Sequence, residues 1–175
     1  MFKKLIRRDH HISHRIASSS RRPQKLFVVI SLLAIPEITF SLSGLYIIVG
    51  VATTNLSLRD AGLFALGTLC VGSITKLLVR RVRPDTTYVQ SMRTHTFSFP
   101  SGHSTGSMVV YGSFAWVIAS ELPLLLGTLT LLTAGVYIFL VGVSRVYLGA
   151  HYVSDVIAGW LLGAAGLLLY ILSGN

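Results

Sequence analysis

The sequence has few charged side chains, and this scarcity limits the class of protein it can encode. Only 12% of its 175 residues are Asp, Glu, Lys or Arg, about half of the roughly 25% that soluble domains carry. The mean hydropathy is +0.68, and long apolar runs recur along the chain. These features indicate one membrane-spanning domain of modest size rather than a water-soluble protein.

Cysteine and acidic residues are also scarce. Cys70 is the only cysteine, so no disulfide bond can form within the chain. Six acidic residues stand against fifteen Lys and Arg, and they form no cluster of carboxylates suited to Mg²⁺. The sequence therefore predicts no carboxylate-based metal site.

The basic residues are concentrated at the N-terminus. Residues 1–25 hold eight of the fifteen Lys and Arg residues, with Asp9 as their only acid. Beside membrane spans, such a segment favours anionic lipid headgroups over nucleic acid as partners, and we expect no nucleic-acid partner. Apolar residues interleave with the charges, so residues 1–24 fit either an interfacial amphipathic helix or a solvated tail. They lack the apolar core of a signal peptide.

Apolar runs predict a bundle of about five transmembrane helices. The runs cover approximately residues 26–50, 61–79, 104–119, 124–143 and 151–172. The expected fold class is an all-α integral membrane bundle. We predict a basic N-terminal segment at residues 1–24 and one membrane domain at 25–175.

Two of the runs contain residues that shape helices. Pro36 and Glu37 lie near the middle of the first run, where a proline predicts a kink. A lipid-facing carboxylate is costly, so Glu37 is expected to face the protein interior or water. In the last run, Gly159, Gly163 and Gly166 provide small positions that favour close helix packing.

Three polar clusters lie at the ends of predicted spans, all on one face of the membrane. The first contains Lys76 and Arg83, about two helical turns apart, followed by Pro84. Lys76 lies inside a span, so it either extends towards the interface or has an anionic partner. Taken alone, the neighbouring arginines would be read as ordinary topology determinants.

The second cluster directly precedes a helical run. Ser101 is well placed to cap that helix, and Gly102 would let a ligand approach the backbone closely. Free amides at a helix start bind anions, and His103 adds a proton donor. By itself this is a weak signal, since a lone histidine is usually structural.

The third cluster contains Arg145, His151 and Asp155. His151 and Asp155 are four residues apart, so one helix presents both side chains on one face. A carboxylate that accepts from one imidazole nitrogen fixes the tautomer and leaves the other nitrogen free to attack. A purely structural His–Asp pair has the same spacing.

Together the clusters resemble the tripartite signature of the type 2 phosphatidic acid phosphatase and vanadium haloperoxidase superfamily. The matching motifs are Lys76–x6–Arg83-Pro84, Pro100-Ser101-Gly102-His103 and Ser144-Arg145–x5–His151–x3–Asp155. The resemblance extends over roughly residues 40–172, and every signature position is matched. The N-terminal 24 residues carry no matching motif.

This resemblance implies a reaction and a role for each residue. His151 would attack phosphorus to form a phosphohistidine, Asp155 would orient it, and His103 would protonate the leaving oxygen and then activate water. The implied phosphate-binding residues are Lys76, Arg83, Ser101, Gly102 and Arg145. Their three cations would take the place of a metal ion, so neither a metal nor another cofactor is expected.

The resemblance further implies a lipid phosphate or diphosphate as substrate, with membrane lipids as partners. Candidates are undecaprenyl diphosphate, slightly favoured, phosphatidylglycerophosphate and phosphatidic acid. The alternative is a phosphotransferase that uses the same site with an alcohol acceptor. Haloperoxidases of this superfamily are larger and soluble, which argues against that activity. A channel or transporter is disfavoured by the complete catalytic spacing.

Two expectations about the catalytic face conflict. Five spans place the basic N-terminus on the same face as the site, and the positive-inside rule assigns that face to the cytoplasm. The family resemblance instead implies an extracytoplasmic site in the cell membrane, which we favour. Four residues of the loop on this face are further candidates for headgroup contact, or are ordinary loop residues: Tyr88, Arg93, His95 and Phe97.

Overall fold

The computed structural model describes residues 2–17, 24–92 and 96–174, with side chains from residue 8 onward. All regular secondary structure within these ranges is helical. The helices are α1 (Phe2–Ala17), α2 (Gln24–Leu32), α3 (Pro36–Ala52), α4 (Leu56–Val79), α5 (Thr87–Gln90), α6 (Gly102–Gly106), α7 (Gly112–Ser120), α8 (Leu124–Tyr147) and α9 (Val153–Leu172). A π-helical turn, Ser107–Tyr111, joins α6 to α7. Predicted residues Arg93 and His95 lie outside the described ranges.

Four helical segments among the described residues are long and apolar enough to cross a membrane. They are Gln24–Ala52, Leu56–Val79, Leu124–Tyr147 and Val153–Leu172. The remaining predicted span corresponds to α6, the π turn and α7, which follow one another without a break. The prediction of an all-α membrane bundle is therefore confirmed.

The outer surface of the bundle is apolar, as expected for helices in contact with lipid. Large side chains such as Leu78, Leu124 and Leu161 are 78%, 87% and 67% exposed. The buried apolar core is small by comparison and includes Tyr46 and Val109. Apolar residues in lipid gain little from burial, so close backbone packing and polar contacts must hold the helices together.

Pro36 divides the first predicted span into two helices. It is the first residue of α3 and follows Ile35, whose backbone is extended. Between the two helices, Leu33 O accepts a hydrogen bond from Tyr111 Oη at 2.7 Å. The predicted kink is confirmed. Glu37 follows in the first turn of α3 with an exposed side chain, so it does not face the bundle interior.

Glycines in α9 allow it to pack closely against α6 and α4. A Cβ atom added to Gly159 would lie 2.7 Å from the carbonyl oxygen of Ser101, and one added to Gly166 would collide with Thr68. A Cβ on Gly163 would lie 2.8 Å from Thr105 O. The packing role predicted for these glycines is confirmed, and it places the start of α6 beside the start of α9.

Helix α1 lies on the face of the bundle where α8 ends and α9 begins. Ser13 is buried there, and its hydroxyl accepts a hydrogen bond from Val153 N at 3.0 Å. Arg8, His11 and His14 are exposed. Residues 8–17 are thus docked on the membrane domain, although the predicted domain boundary at residue 24 stays a prediction.

Candidate active site

The three polar clusters converge at one end of the bundle. Lys76 lies in the last turn of α4, Arg145 in the last turn of α8, and Asp155 in the first turn of α9. Ser101 and His103 lie at the start of α6, where Ser101 N donates to Asp155 O at 3.0 Å. The buried members of this group are Ser101, His103, Arg145, His151 and Asp155. Residues separated by some 80 positions in the sequence therefore surround one buried polar site.

His151 is held between a guanidinium and a carboxylate. Its Nε2 atom lies 3.1 Å from Arg83 Nη1. Its Nδ1 atom lies 3.5 Å from Asp155 Oδ2, an electrostatic contact without a hydrogen bond. A guanidinium can only donate, so Nε2 must accept and the imidazole proton belongs on Nδ1, facing Asp155. This tautomer leaves the Nε2 lone pair directed towards the basic residues.

The surroundings of His151 favour its neutral form. Burial lowers the pKa of His151 well below its ordinary value, and the nearby cations of Arg83, Arg145 and Lys76 lower it further. Burial and the charge of Arg145 also lower the pKa of Arg83, to about 10. At neutral pH the pair therefore consists of a neutral imidazole beside a cation, as a nitrogen nucleophile requires.

Asp155 is fully buried and satisfied on both oxygens. Oδ2 accepts from Tyr152 N at 3.0 Å, in the capping box that starts α9. Oδ1 accepts from Arg81 Nη1 at 2.7 Å. Sequence reasoning missed this role of Arg81, because a guanidinium within a basic run at a span end resembles any other topology determinant.

Arg83 and Arg145 are fixed by neutral acceptors. Arg83 donates to Thr96 O at 2.8 Å and to Ala150 O at 3.0 Å. Arg145 donates from Nη1 to Ser31 Oγ at 3.1 Å, with Tyr88 Oη at 3.5 Å, while its buried Nε has no hydrogen-bond partner among the described residues. Neither guanidinium forms an ion pair with a carboxylate within the described part of the chain. Both retain a full charge for an anionic ligand.

The start of α6 faces the same site. Ser101 caps the helix, its hydroxyl accepting from Ser104 N at 3.4 Å and from Ser104 Oγ at 3.0 Å. A Cβ atom added to Gly102 would lie 3.8 Å from Lys76 Nζ. The charges of Arg145, Arg83 and Lys76 all act on His103. Capping by Ser101 is confirmed, and its phosphate-binding role stays a prediction.

An apolar cavity of about 400 Å³ adjoins this polar site. It is bounded by α3, α4, α6 and the segment before α6, and Lys76 and Gly102 belong to both the cavity and the site. Phe97, one of the predicted headgroup residues, lines it together with Pro36 and Phe40. The arrangement offers a route for an apolar chain whose polar end reaches the basic residues.

The described residues contain no group of three His, Cys, Asp or Glu side chains placed to hold a metal ion. Positive charge at the site comes from Lys76, Arg83 and Arg145 instead. Cations arranged in this way, around a neutral histidine, suit a phosphoryl group whose negative charge grows during its transfer.

The fold and the site define a helical membrane protein with a His–Asp pair and basic residues gathered at one end of its bundle. Residues 57–175 match the model of the PAP2 superfamily, and the chain belongs to this superfamily. The tripartite resemblance is thereby confirmed, and the protein is a membrane protein related to lipid phosphatases.

Two relatives give the range of named activities. The chain is 40% identical over 106 residues to phosphatidylglycerophosphatase B of Bacillus subtilis, covering 59% of this chain and 50% of that protein. It is 34% identical over 100 residues to undecaprenyl-diphosphatase of Sulfolobus acidocaldarius, covering 55% and 45%. The aligned region thus spans about half the length of each relative.

Solved structures match over most of the fold. A transmembrane PAP2-type phosphatidylglycerolphosphate phosphatase from Bacillus subtilis superposes with a TM-score of 0.78 at 30% identity, covering 97% of this chain and 86% of that one. LpxE of Aquifex aeolicus gives a TM-score of 0.68 at 18% identity, covering 93% of both chains. The second match supports the fold alone.

Proposed function

We propose that this protein is a lipid phosphatase that hydrolyses a lipid phosphate or diphosphate through a phosphohistidine at His151. The observation that carries the proposal is the line of contacts from Arg83 through His151 to Asp155, next to an apolar cavity that ends at Lys76. A neutral nucleophile, a proposed phosphate cradle of Lys76, Arg83 and Arg145, and an apolar cavity of about 400 Å³ meet at one end of the bundle.

In the first step, Nε2 of His151 attacks phosphorus, and the bond from phosphorus to the lipid oxygen breaks. His103 takes up a proton when the anionic substrate offsets the charges of Arg145, Arg83 and Lys76. It gives that proton to the leaving oxygen, so the lipid departs as a neutral alcohol or, from a diphosphate, as a monophosphate. Arg83 exchanges its contact with Nε2 for one with a phosphoryl oxygen. Lys76 and Arg145 stabilise the remaining charge.

In the second step, water attacks the phosphohistidine. His103 accepts a proton from that water, the P–N bond breaks, and inorganic phosphate leaves with His151 restored. Asp155 remains unprotonated throughout and stabilises the positive charge of the phosphorylated imidazole. The cycle needs no metal ion, because the three cations neutralise the phosphoryl oxygens.

The apolar cavity favours a substrate with an acyl or prenyl chain. Of the candidates, phosphatidylglycerophosphate is supported by the name of the relative with 40% identity and by the neighbour with a TM-score of 0.78. Undecaprenyl diphosphate, which the sequence alone slightly favoured, is supported by the relative with 34% identity. We therefore propose phosphatidylglycerophosphate first and undecaprenyl diphosphate second.

The test is phosphate release from these two lipids and phosphatidic acid by purified protein in detergent. His151→Ala and His103→Ala should abolish release, whereas His11→Ala, a change of the same kind at an exposed position of α1, should not affect it. Brief exposure to labelled substrate should leave an acid-labile, base-stable phosphoryl label on the wild-type protein and none on His151→Ala. Equal release by wild type and His151→Ala would overturn the assignment of the nucleophile. Adding an alcohol acceptor to the same assay separates hydrolysis from phosphotransfer.

We also propose that the site faces the extracytoplasmic side of the cell membrane. The family resemblance supports this side. The positive-inside rule opposes it, but α1 is docked against α9, so its basic residues belong to a bound helix and need not mark the cytoplasmic face. An impermeant maleimide should label a cysteine at His11, but not one at Glu121, in intact cells of a Cys70→Ser background. The reverse pattern would place the site in the cytoplasm.

A further inference from the structure

Asp9 of α1 caps the N-terminus of α9, far away in the sequence. Its Oδ1 atom accepts from Ser154 N at 3.1 Å, and Oδ2 accepts from the Ser154 hydroxyl. Oδ2 also accepts from Arg81 Nη2 at 2.8 Å. A carboxylate at this position interacts favourably with the helix dipole, so the only acid of the basic N-terminal segment anchors that segment beside the catalytic pair.

Arg81 joins Asp9 to Asp155. Its Nη2 donates to Asp9, while Nη1 donates to Asp155 Oδ1 at 2.7 Å and to Ser154 Oγ at 2.6 Å. The guanidinium lies 4.0 Å from the centre of the Tyr152 ring, and that ring stacks on His10 at 4.3 Å. The plane of the guanidinium is therefore fixed on both edges and on one face.

We propose that Arg81 and Asp9 are positioning residues for the reaction at His151, an inference that rests on the proposed function. Arg81 holds Oδ1 of Asp155, which fixes the rotation of the carboxylate. Oδ2 then points to His151 Nδ1 and to Tyr152 N. Asp9 acts one step further away, because it holds the other arm of the Arg81 guanidinium. Helix α1 thereby forms part of the catalytic unit.

The burial and charge of these side chains agree with a direct role of Arg81 on Asp155 and an indirect role of Asp9 through Arg81. Asp155 is completely buried, whereas the side chains of Arg81 and Asp9 are 22% and 14% exposed. A buried carboxylate needs a close cation to remain ionised, and Arg81 is the Lys or Arg residue that contacts Asp155 within the described ranges. Lysine would be a poor replacement, since a single ammonium cannot give the fixed fork that reaches two carboxylates.

The experiment measures kcat and KM of Arg81→Gln, Asp9→Asn and the double variant in detergent, using phosphatidylglycerophosphate. Arg81→Gln should lower kcat by about 10- to 100-fold, the cost of a misplaced catalytic group, with KM changed less than about twofold. Asp9→Asn should lower kcat by a smaller factor. The double variant should be no slower than Arg81→Gln, because both residues act through the same carboxylate.

Matched controls are Arg80→Gln and His11→Gln, each exposed and without a contact to Asp155 in the described structure. Both should keep the wild-type kcat. Inhibition by inorganic phosphate should also be unchanged in Arg81→Gln and Asp9→Asn, since neither residue belongs to the proposed cradle. A merely structural role would reduce the yield of folded protein while leaving kcat per folded molecule intact, and that result overturns the proposal.

The two proposals can fail separately. If His151→Ala keeps full activity, the proposed function is wrong. If His151→Ala is inactive while Arg81→Gln and Asp9→Asn have the wild-type kcat, only the positioning role is wrong. Should Arg81→Gln fail to fold, Arg81→Lys and Asp9→Asn carry the test, and both must lower kcat without raising KM.

Discussion

Arg83 donates a hydrogen bond from Nη1 to Nε2 of His151 at 3.1 Å, so a guanidinium occupies the face of the nitrogen proposed to attack phosphorus. This contact assigns the imidazole proton to Nδ1, next to Asp155. It also keeps a cation where an oxygen of the incoming phosphoryl group would lie. In the proposed reaction this guanidinium would therefore stabilise the phosphoryl oxygens.

The fall of kcat/KM at low pH, called here the acid limb of the profile, should follow the protonation of His151, because only the neutral imidazole can attack. Burial and neighbouring cations lower the pKa of His151, so this limb should lie below the ordinary histidine value of about 6.5. Arg83→Gln removes one of those cations, so the pKa should rise and the limb should move to higher pH. The shift is measured by comparing pH profiles of kcat/KM for wild type and Arg83→Gln with the same substrate. Ionisation of the substrate affects both profiles equally and therefore does not contribute to the shift.

Coincident acid limbs in these two profiles would contradict the electrostatic role of Arg83.

The lowered pKa of His151 also makes the stability of the fold depend on pH. As the pH falls below about 6.5, the unfolded chain takes up a proton at this position before the folded chain does. The contribution of His151 to stability is thus complete above that pH and declines as the pH approaches the folded-state pKa.

Asp155→Asn should lose most of the activity and some stability, because both carboxylate oxygens accept hydrogen bonds and an amide nitrogen cannot. An amide can replace the carboxylate in size, but it cannot balance the positive charge that forms on His151. We expect kcat to fall by about 100-fold or more, with inhibition by inorganic phosphate nearly unchanged. Wild-type kcat in Asp155→Asn would show that the pair is structural, which is the reading that spacing alone left open.

Ser31→Ala should weaken phosphate binding through Arg145. The Ser31 hydroxyl accepts from Arg145 Nη1 at 3.1 Å and donates to Val28 O at 3.0 Å. Its loss leaves this buried charged donor with only the longer contact to Tyr88 Oη at 3.5 Å. We expect a higher KM and a stability loss of about 1–3 kcal/mol. Ser120→Ala is the matched control, because Ser120 donates only to Val117 O in its own helix. A KM equal to that of the control would contradict the prediction.

Gly159→Ala should disturb both packing and catalysis. The added Cβ would lie 2.7 Å from Ser101 O and 2.9 Å from Ser104 Cβ, so α9 or the start of α6 must move. We expect a loss of about 1–3 kcal/mol in stability and a lower kcat, as measured by thermal unfolding and phosphate release. Gly67→Ala, where no atom lies within 4 Å of the new Cβ, should be neutral or stabilising by up to about 1 kcal/mol.

Features of the fold could be predicted from the sequence wherever a local pattern encoded them. The apolar runs predicted the helical membrane bundle, and Pro36 predicted the break between α2 and α3. The first turn of α4 was placed five residues too late, because Arg59 and Asp60 look like a loop. In the structure Asn55 caps this helix by accepting from Leu58 N at 2.9 Å, and Arg59 pairs with Asp60 at its side.

The sequence by itself determined which residues form the candidate site, since the spacing of Lys76, Arg83, His103, His151 and Asp155 is a property of the chain. Only the tertiary structure decided what holds them. Arg81 contacts Asp155, and Asp9 contacts Ser154, across 74 and 145 positions in the chain. No helical or turn period relates residues so far apart. Their pairing follows from the way α1 docks on the bundle, which brings a lone acid of a basic segment to the start of α9.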